Sequence, residues 1–307
     1  MGRYIARRAL LAVPVLLGAS FLIFALVYAI PGDPIRALAG DRPLPAAVQA
    51  QLRDDYNLND PLLVQYGKYV LALTQGDFGT DFSGRPVRDT IEQRLPITAR
   101  LAVVAIIFEA IFGLTAGIVA GLRRGSFLDS LVLVSTTIAV SIPVFVLGFI
   151  AQVTFGLNLG WFPIAGINQG WYSYILPGLV LAAASTAYVA RLTRTSLAEN
   201  LRNDYVRTAK AKGLKKRTII GKHTLRNSLI PVVTFLGADF GALMAGAIVT
   251  EGVFNIPGLG RAVFDAIGRQ EGAVVVGIVT LFVLVFIIFN LLVDVLYAAL
   301  DPRIRYE

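Results

Sequence analysis

The sequence predicts an all-α polytopic membrane protein with six transmembrane helices, and three observations carry that prediction. Hydrophobic residues make up 56% of the 307-residue chain and charged residues only 16%, which is not the balance of a water-soluble domain. Six apolar runs reach the roughly 20 residues that cross a bilayer as helix. Lys and Arg gather in the segments that this count places on one side, the pattern of cytoplasmic loops.

In residues 1–30, Met1–Arg8 carries Arg3, Arg7 and Arg8, and Ala9–Ile30 is apolar and uncharged. That run is longer than a signal-peptide core, so it reads as a retained first span with a cytoplasmic N-terminus. Residues 31–96 differ in kind, with nine acidic and seven basic residues, many Pro and Gly, and no spanning run. Ala46–Tyr56 and Pro61–Gln75 read as helices, the second placing Leu62, Tyr66, Tyr69, Val70 and Leu73 on one side. The segment is too long for a plain connection and is expected to be a small folded extracytoplasmic insert.

Residues 97–307 hold the remaining spans, at Leu101–Leu122, Leu131–Phe155, Tyr174–Ala190, Leu229–Thr250 and Val274–Ala298. Arg123 and Arg124 close the first of these on the inside, and Arg191 and Arg194 close the third. Trp161, Trp171, Tyr172 and Tyr174 mark the outer interface. The tail Asp301–Glu307, with Arg303 and Arg305, ends inside, so both termini are expected in the cytoplasm.

The cytoplasmic segment 191–228 holds eleven Lys/Arg against Glu199 and Asp204. Its order suggests more than a topology signal. Ala198–Lys212 is rich in helix formers, Gly213 suits a C-cap, and Leu214–Leu225 resumes the helix. A helix–Gly–helix element below the membrane reads as a docking surface, against the plainer reading of a charged loop.

Within the spans, Gly113, Gly117 and Gly121 form a smooth stripe for close helix contact. Glu109 lies one turn earlier on it and is expected to point into protein. Gly237, Gly241 and Ala245 form a second stripe. Asp239 lies about 200° around from Gly237, on a face with Ala242, Leu243 and Gly246. An ionised carboxylate near the bilayer centre costs roughly 2.5–3.5 kcal/mol, so neither acid is expected to face lipid. Glu109, Asp239, Leu243 and Gly246 are therefore candidates for a polar passage, with buried structural carboxyls as the alternative. Asn290 and Asp294 read as a structural anchor, Asp294 reaching a cytoplasmic Arg.

Several chemistries have no support. No GxxxxGK[ST] motif is present, so no phosphate-cradling loop is available for ATP. His223 is the single histidine and Cys is absent, which leaves no metal-ligand spacing and no thiol chemistry. No Ser/His/Asp arrangement is legible, and no catalytic residue is assigned. The basic residues sit at the ends of apolar runs, facing an anionic leaflet rather than nucleic acid. A non-catalytic transport subunit is the simplest reading, driven by an ion gradient or by another chain.

DYVRTAKAKGL (204–214) followed by RNSLIPVV (226–233) resembles the cytoplasmic signature loop of the membrane subunits of dipeptide and oligopeptide ABC importers of bacteria. PGDP (31–34), GLRRGSFLD (121–129), GWFPIAG (160–166), EGVFNIPGLGR (251–261) and LDPR (300–303) extend the resemblance along the chain. It implies the type I ABC importer permease fold in the bacterial cytoplasmic membrane, with 97–307 as the permease core. It also implies a homologous second permease subunit and two ATP-binding subunits on the cytoplasmic side, which would hold ATP and Mg. An extracytoplasmic binding protein would deliver peptide. Segment 191–228 would be the coupling loop, with Arg207, Thr208, Ala209, Lys210 and Gly213 supplying contact or geometry. The general motif of ABC importers has Glu where Arg207 stands and Pro where Arg226 stands, so a Glu-mediated ion pair does not carry over. Nickel or another small solute is the alternative cargo within this family. A gradient-driven secondary transporter with Glu109 or Asp239 as proton relay is the alternative outside it.

Overall fold

The computed structural model describes residues 2–29, 35, 45–55 and 57–300. PGDP (31–34), Tyr56, the tail 301–307 and most of LDPR (300–303) lie outside the described residues. The chain is a bundle of long helices: α1 (Gly2–Ala29), α4 (Val87–Phe108) continued by α5 (Leu114–Leu122), α8 (Ile175–Asn200), α10 (Arg226–Val253) and α12 (Gly272–Leu300). Among the described residues five helices are long and apolar enough to cross a membrane, and a bent pair provides a sixth crossing when counted as one span.

That bent pair departs from the continuous span expected over Leu131–Phe155. Helix α6 (Phe127–Ser141) and helix α7 (Val144–Ala151), prolonged to Asn158, meet at 101°. Pro143 is the cause. It has no N–H to continue the ladder, and it pushes Ile142 into an extended conformation (φ −90°, ψ 122°).

The second span is also longer than its apolar run. From Val87 to Leu122 it holds 36 residues, about 54 Å at 1.5 Å each against about 30 Å of hydrocarbon, so its first turns extend past the bilayer.

Small residues set the helix spacing. A Cβ on Gly117 would sit 2.5 Å from the Ala190 carbonyl oxygen, and one on Gly113 would sit 2.6 Å from Val189. The glycine stripe therefore lays α5 directly on α8. Gly241 admits the Phe286 backbone in the same way, where a Cβ would lie 2.7 Å from its Cα, and so seats α10 on α12. Leu101, Tyr174, Phe254, Leu259 and Phe282 fill the core between these contacts. Helix α1 is held to α12 by Arg8 Nε, 3.3 Å from Asp294 Oδ2, the anchor expected of Asp294, while Asn290 donates to the Phe286 carbonyl of its own helix.

Of the insert, α2 (Ala46–Asp55) and α3 (Leu62–Thr74) are helical. Tyr66 of α3 lies 2.9 Å from Ser20 Oγ and donates to the Leu17 carbonyl at 2.8 Å, while its ring meets Phe21 and Phe24 edge-on. The loop that follows is organised by Asp81, whose carboxylate takes Ser83 N, Ser83 Oγ and Arg85 N at 2.6–2.9 Å. Partial burial opposes its ionisation, but those donors outweigh it and hold its pKa below the ordinary value.

Glu271, just ahead of α12, is shifted the other way. Burial raises its pKa first, and the Asp81 charge adds to that, against Arg269. Above the ordinary glutamate range the fold must carry an ionised Glu271 where ionisation is disfavoured. Below it both folded and unfolded states are protonated and no cost remains. Glu271→Gln should therefore raise the melting temperature by roughly 1–3 °C at pH 7–8 and leave it unchanged near pH 4. Thermal unfolding at the two pH values checks this.

Candidate functional site

The basic segment forms a distinct elbow. Helix α8 ends at Asn200, earlier than the helix expected over Ala198–Lys212, because residues 201–203 turn and Asn203 is extended (φ −66°, ψ 152°) ahead of a new helix, α9 (Asp204–Ala211). Asn200 fixes the corner, accepting from Tyr205 Oη at 2.8 Å and from Asn203 Nδ2 at 3.3 Å. Asparagine competes with helix continuation by such local bonds.

At the other end of α9, Gly213 takes φ +73°. Gly213 N donates to Lys210 O at 2.9 Å and Leu214 N to Ala209 O at 3.2 Å, the Schellman closure that a left-handed residue allows. The chain then passes a turn of helix at Lys216–Thr218 and a wide π-type turn, Ile219–Leu225, directly into α10.

The side chains of the elbow divide by face. Ala209 is buried and packs with Val206 and Ile219 in a small core of their own. Arg207, Thr208, Lys210 and Gly213 are exposed. Arg207 reaches Asp204 at 3.6 Å across open surface, and Thr208 turns its hydroxyl back to the Asp204 carbonyl at 3.0 Å. Five residues proposed together from sequence thus split into an outward set of four and one inward anchor.

The elbow is wired into the bundle. Ser228 Oγ donates to Thr224 O at 2.8 Å, and Ser196 Oγ donates to Ser228 O at 3.0 Å. Thr224 and Ser228 are fully buried, so the roots of α8 and α10 meet through hydrogen-bonded serines. Beside them, Arg194 clasps the buried Asp129 with both Nε and Nη2, the latter at 2.8 Å, and Gly125 N adds a third donor at 2.9 Å. Ser126 caps α6 by accepting from Asp129 N at 3.4 Å, so Ser126 and Asp129 were readable in GLRRGSFLD as the start of a helix. The partner of Asp129, 65 residues away, was not readable. Asp129→Asn should cost about 2 kcal/mol by leaving a covered guanidinium short of its counter-charge; thermal unfolding of the purified protein measures it.

Of the transmembrane candidates, Glu109 points into protein as expected, while Leu243 leaves the face that spacing gave it. Glu109 is fully buried at the start of a π-type turn (Glu109–Gly113) that joins α4 to α5. There it meets Asp239 of α10, carboxyl against carboxyl. Asp239 itself is partly exposed. It lies 13 residues after Arg226 and 14 before Val253, about 20 Å from either end of the helix and hence at mid-span. Gly246 and Ala242 share its open face, whereas Leu243 is buried in the core.

A second polar node closes the end of α10 away from the elbow. Glu251 is fully buried. Thr98 Oγ1 donates to its Oε1 at 2.6 Å and Arg261 N to its Oε2 at 3.0 Å. Thr98 in turn accepts from Leu259 N at 2.8 Å. One carboxyl thereby ties α4 and α10 to the first turn of α11 (Leu259–Gly268). Gln152 Nε2 adds bonds to Ile164 O at 2.8 Å and Val253 O at 3.0 Å. Among the described residues no group of three or more His, Cys, Asp or Glu side chains is placed to hold a metal ion.

Residues 113–306 match the family described as binding-protein-dependent transport system inner membrane component, and residues 1–102 match its N-terminal companion. The chain is 42% identical, over the full length of both chains, to the glutathione transport system permease protein GsiC of Salmonella paratyphi A, and equally so to those of Salmonella typhimurium and Escherichia coli K12. Its fold is similar to that in two inward-facing structures of the MetNI methionine ABC transporter. These have TM-scores of 0.54 and 0.56 at 17% and 18% identity, covering 69% of this chain and 96% of theirs. This chain belongs to the family of inner-membrane permease components of binding-protein-dependent ABC importers.

Proposed function

We propose that this chain is one membrane subunit of an ATP-driven importer of small peptides, dipeptides, oligopeptides or glutathione-like molecules. In this reading it pairs with a homologous second permease subunit, and the pathway runs between the two. Two ATP-binding subunits dock beneath the elbow and hold the ATP and Mg, while an extracytoplasmic binding protein hands over the cargo. Both termini lie in the cytoplasm. The observation that carries the reading is the elbow itself. It is a short basic helix, capped by a left-handed glycine and packed through Val206 and Ala209 on Ile219 of the turn that runs into α10, whose root is bonded to that of α8 through Ser196 and Ser228. A piston of that kind moves as a rigid body and delivers a push to two spanning helices at once. The exposed Arg207 gives its outer face a positive group, so the surface that receives it should offer acidic side chains.

Cargo class rests on the 42% identity to glutathione permeases over the whole chain. Purification of the tagged chain should recover a second permease and ATPase chains, and proteoliposomes holding the complex should take up peptide only with ATP and loaded binding protein. The meeting of Glu109 with Asp239 favours one rival, a proton relay in a gradient-driven carrier. Uptake by the isolated chain that collapses with an uncoupler while ATP is maintained would establish that rival and overturn the importer.

A further inference from the structure

The open face of α10 presents Phe235, Asp239, Ala242 and Gly246 in helical succession, with Ala242 and Gly246 exposed and Asp239 partly so. Across from it, Tyr188 of α8 is 50% exposed, and its ring lies 4.4 Å from that of Phe235, one turn to the cytoplasmic side of Asp239. Behind Asp239 stands Glu109, fully buried. Neither of its carboxyl oxygens meets a hydroxyl, amide or basic group among the described residues; what it meets is Asp239.

We propose that Asp239, backed by Glu109 and flanked by the Tyr188–Phe235 pair, receives the ammonium group of the solute in transit. The proposal rests on the reading that this face lines the pathway, and it adds the chemical class of the ligand. A carboxylate near a partly exposed aromatic pair is a composition that holds an ammonium, through charge on one side and ring quadrupole on the other. Glu109 stands behind Asp239 as a second acidic group on the same side of the site. An inorganic divalent cation suits the place poorly, since calcium takes six to eight oxygens and magnesium an octahedron, and aromatic faces supply none. Toward the outside the lining is small, Ala242 and Gly246, so a solute can come close to the backbone before it reaches the acid.

The chain has no cysteine, which allows a direct test in the assembled importer. Ala242→Cys is modified with a trimethylammonium methanethiosulfonate and, separately, with a sulfonate methanethiosulfonate, and the ratio of the two rates is read with Asp239 and with Asp239→Asn. The ratio should fall about tenfold when the charge is removed, the lower end of what a singly signed cleft does to local ion concentration. An unchanged ratio overturns the ammonium site while the pathway survives. Failure of both reagents to react at every stage of turnover overturns both.

Should Asp239→Asn not assemble, Tyr188→Leu replaces it. A fall of about threefold in the ratio is then expected, and no fall counts against the site. Uptake at equal binding-protein loading separates the sources of the ammonium. If the peptide terminus supplies it, Asp239→Asn slows a lysine-free peptide and spares its N-acetylated form. If a side chain supplies it, the variant slows an N-acetylated peptide that contains lysine. Equal slowing of the acetylated lysine-free peptide overturns the proposal.

Discussion

Glu251→Ala should destabilise the protein by about 4 kcal/mol, the largest effect expected of any single truncation among the polar groups described. The estimate follows from what the truncation strands. Thr98 Oγ1 and Arg261 N both aim at the carboxyl, at 2.6 and 3.0 Å, in a site with no exposure at Glu251 and none at Thr98. Each buried donor left without an acceptor costs roughly 1–3 kcal/mol, and the cavity adds to that. Glu251→Gln keeps one carbonyl oxygen and the volume, so it should cost less than half as much. Gly258→Ala should behave like a milder Glu251→Ala, because its methyl group would collide with the Glu251 carboxyl. Thermal unfolding of the purified complex, read for the three variants, checks the order. A Glu251→Ala protein as stable as the parent would mean that water replaces the carboxyl and that the node is not closed.

Much of the architecture was legible because its signals are local. Apolar length gives the spans, and a glycine every four residues marks the face on which α5 packs closely. Gly213 was legible for the same reason, since a glycine after a run of helix formers is a cap in any context. What escaped the sequence is non-local or depends on one bond. The 101° bend at Pro143 hides inside an apolar run long enough to cross straight. The meeting of Glu109 with Asp239 joins residues 130 apart in sequence, and helical periodicity places each on its own helix without saying which faces meet. Ala209 shows a subtler limit. It sits in the middle of the signature stretch, and motif membership suggested contact or geometry without deciding between them; its burial against Val206 and Ile219 makes it the inner wall of the elbow. The elbow in turn starts at Asn203 because Asn200 bonds to Tyr205, a tertiary detail that propensity averages away.

Gly213→Val should leave the protein inserted and assembled with its partners, yet lower binding-protein-stimulated ATP hydrolysis and peptide uptake by tenfold or more. Nothing lies within 4 Å of where a Cβ on Gly213 would be, so the substitution collides with no atom of this chain. The cost is conformational. At φ +73° a β-branched residue sits in a region that costs L-residues roughly 1–2 kcal/mol, and the chain relieves this by opening the bonds from Gly213 N to Lys210 O and from Leu214 N to Ala209 O. An elbow with a frayed end absorbs the stroke that it should transmit, while the spans above it are untouched. The discriminating comparison is between Ala and Asn. Asparagine is larger but enters the left-handed region readily, so a backbone origin orders function as Gly, Asn, Ala, Val. If size against a docked partner governs instead, Ala outperforms Asn. That inverted order would move Gly213 from the cap of the elbow to its contact surface, where close approach to the partner rather than the angle of the chain requires a glycine.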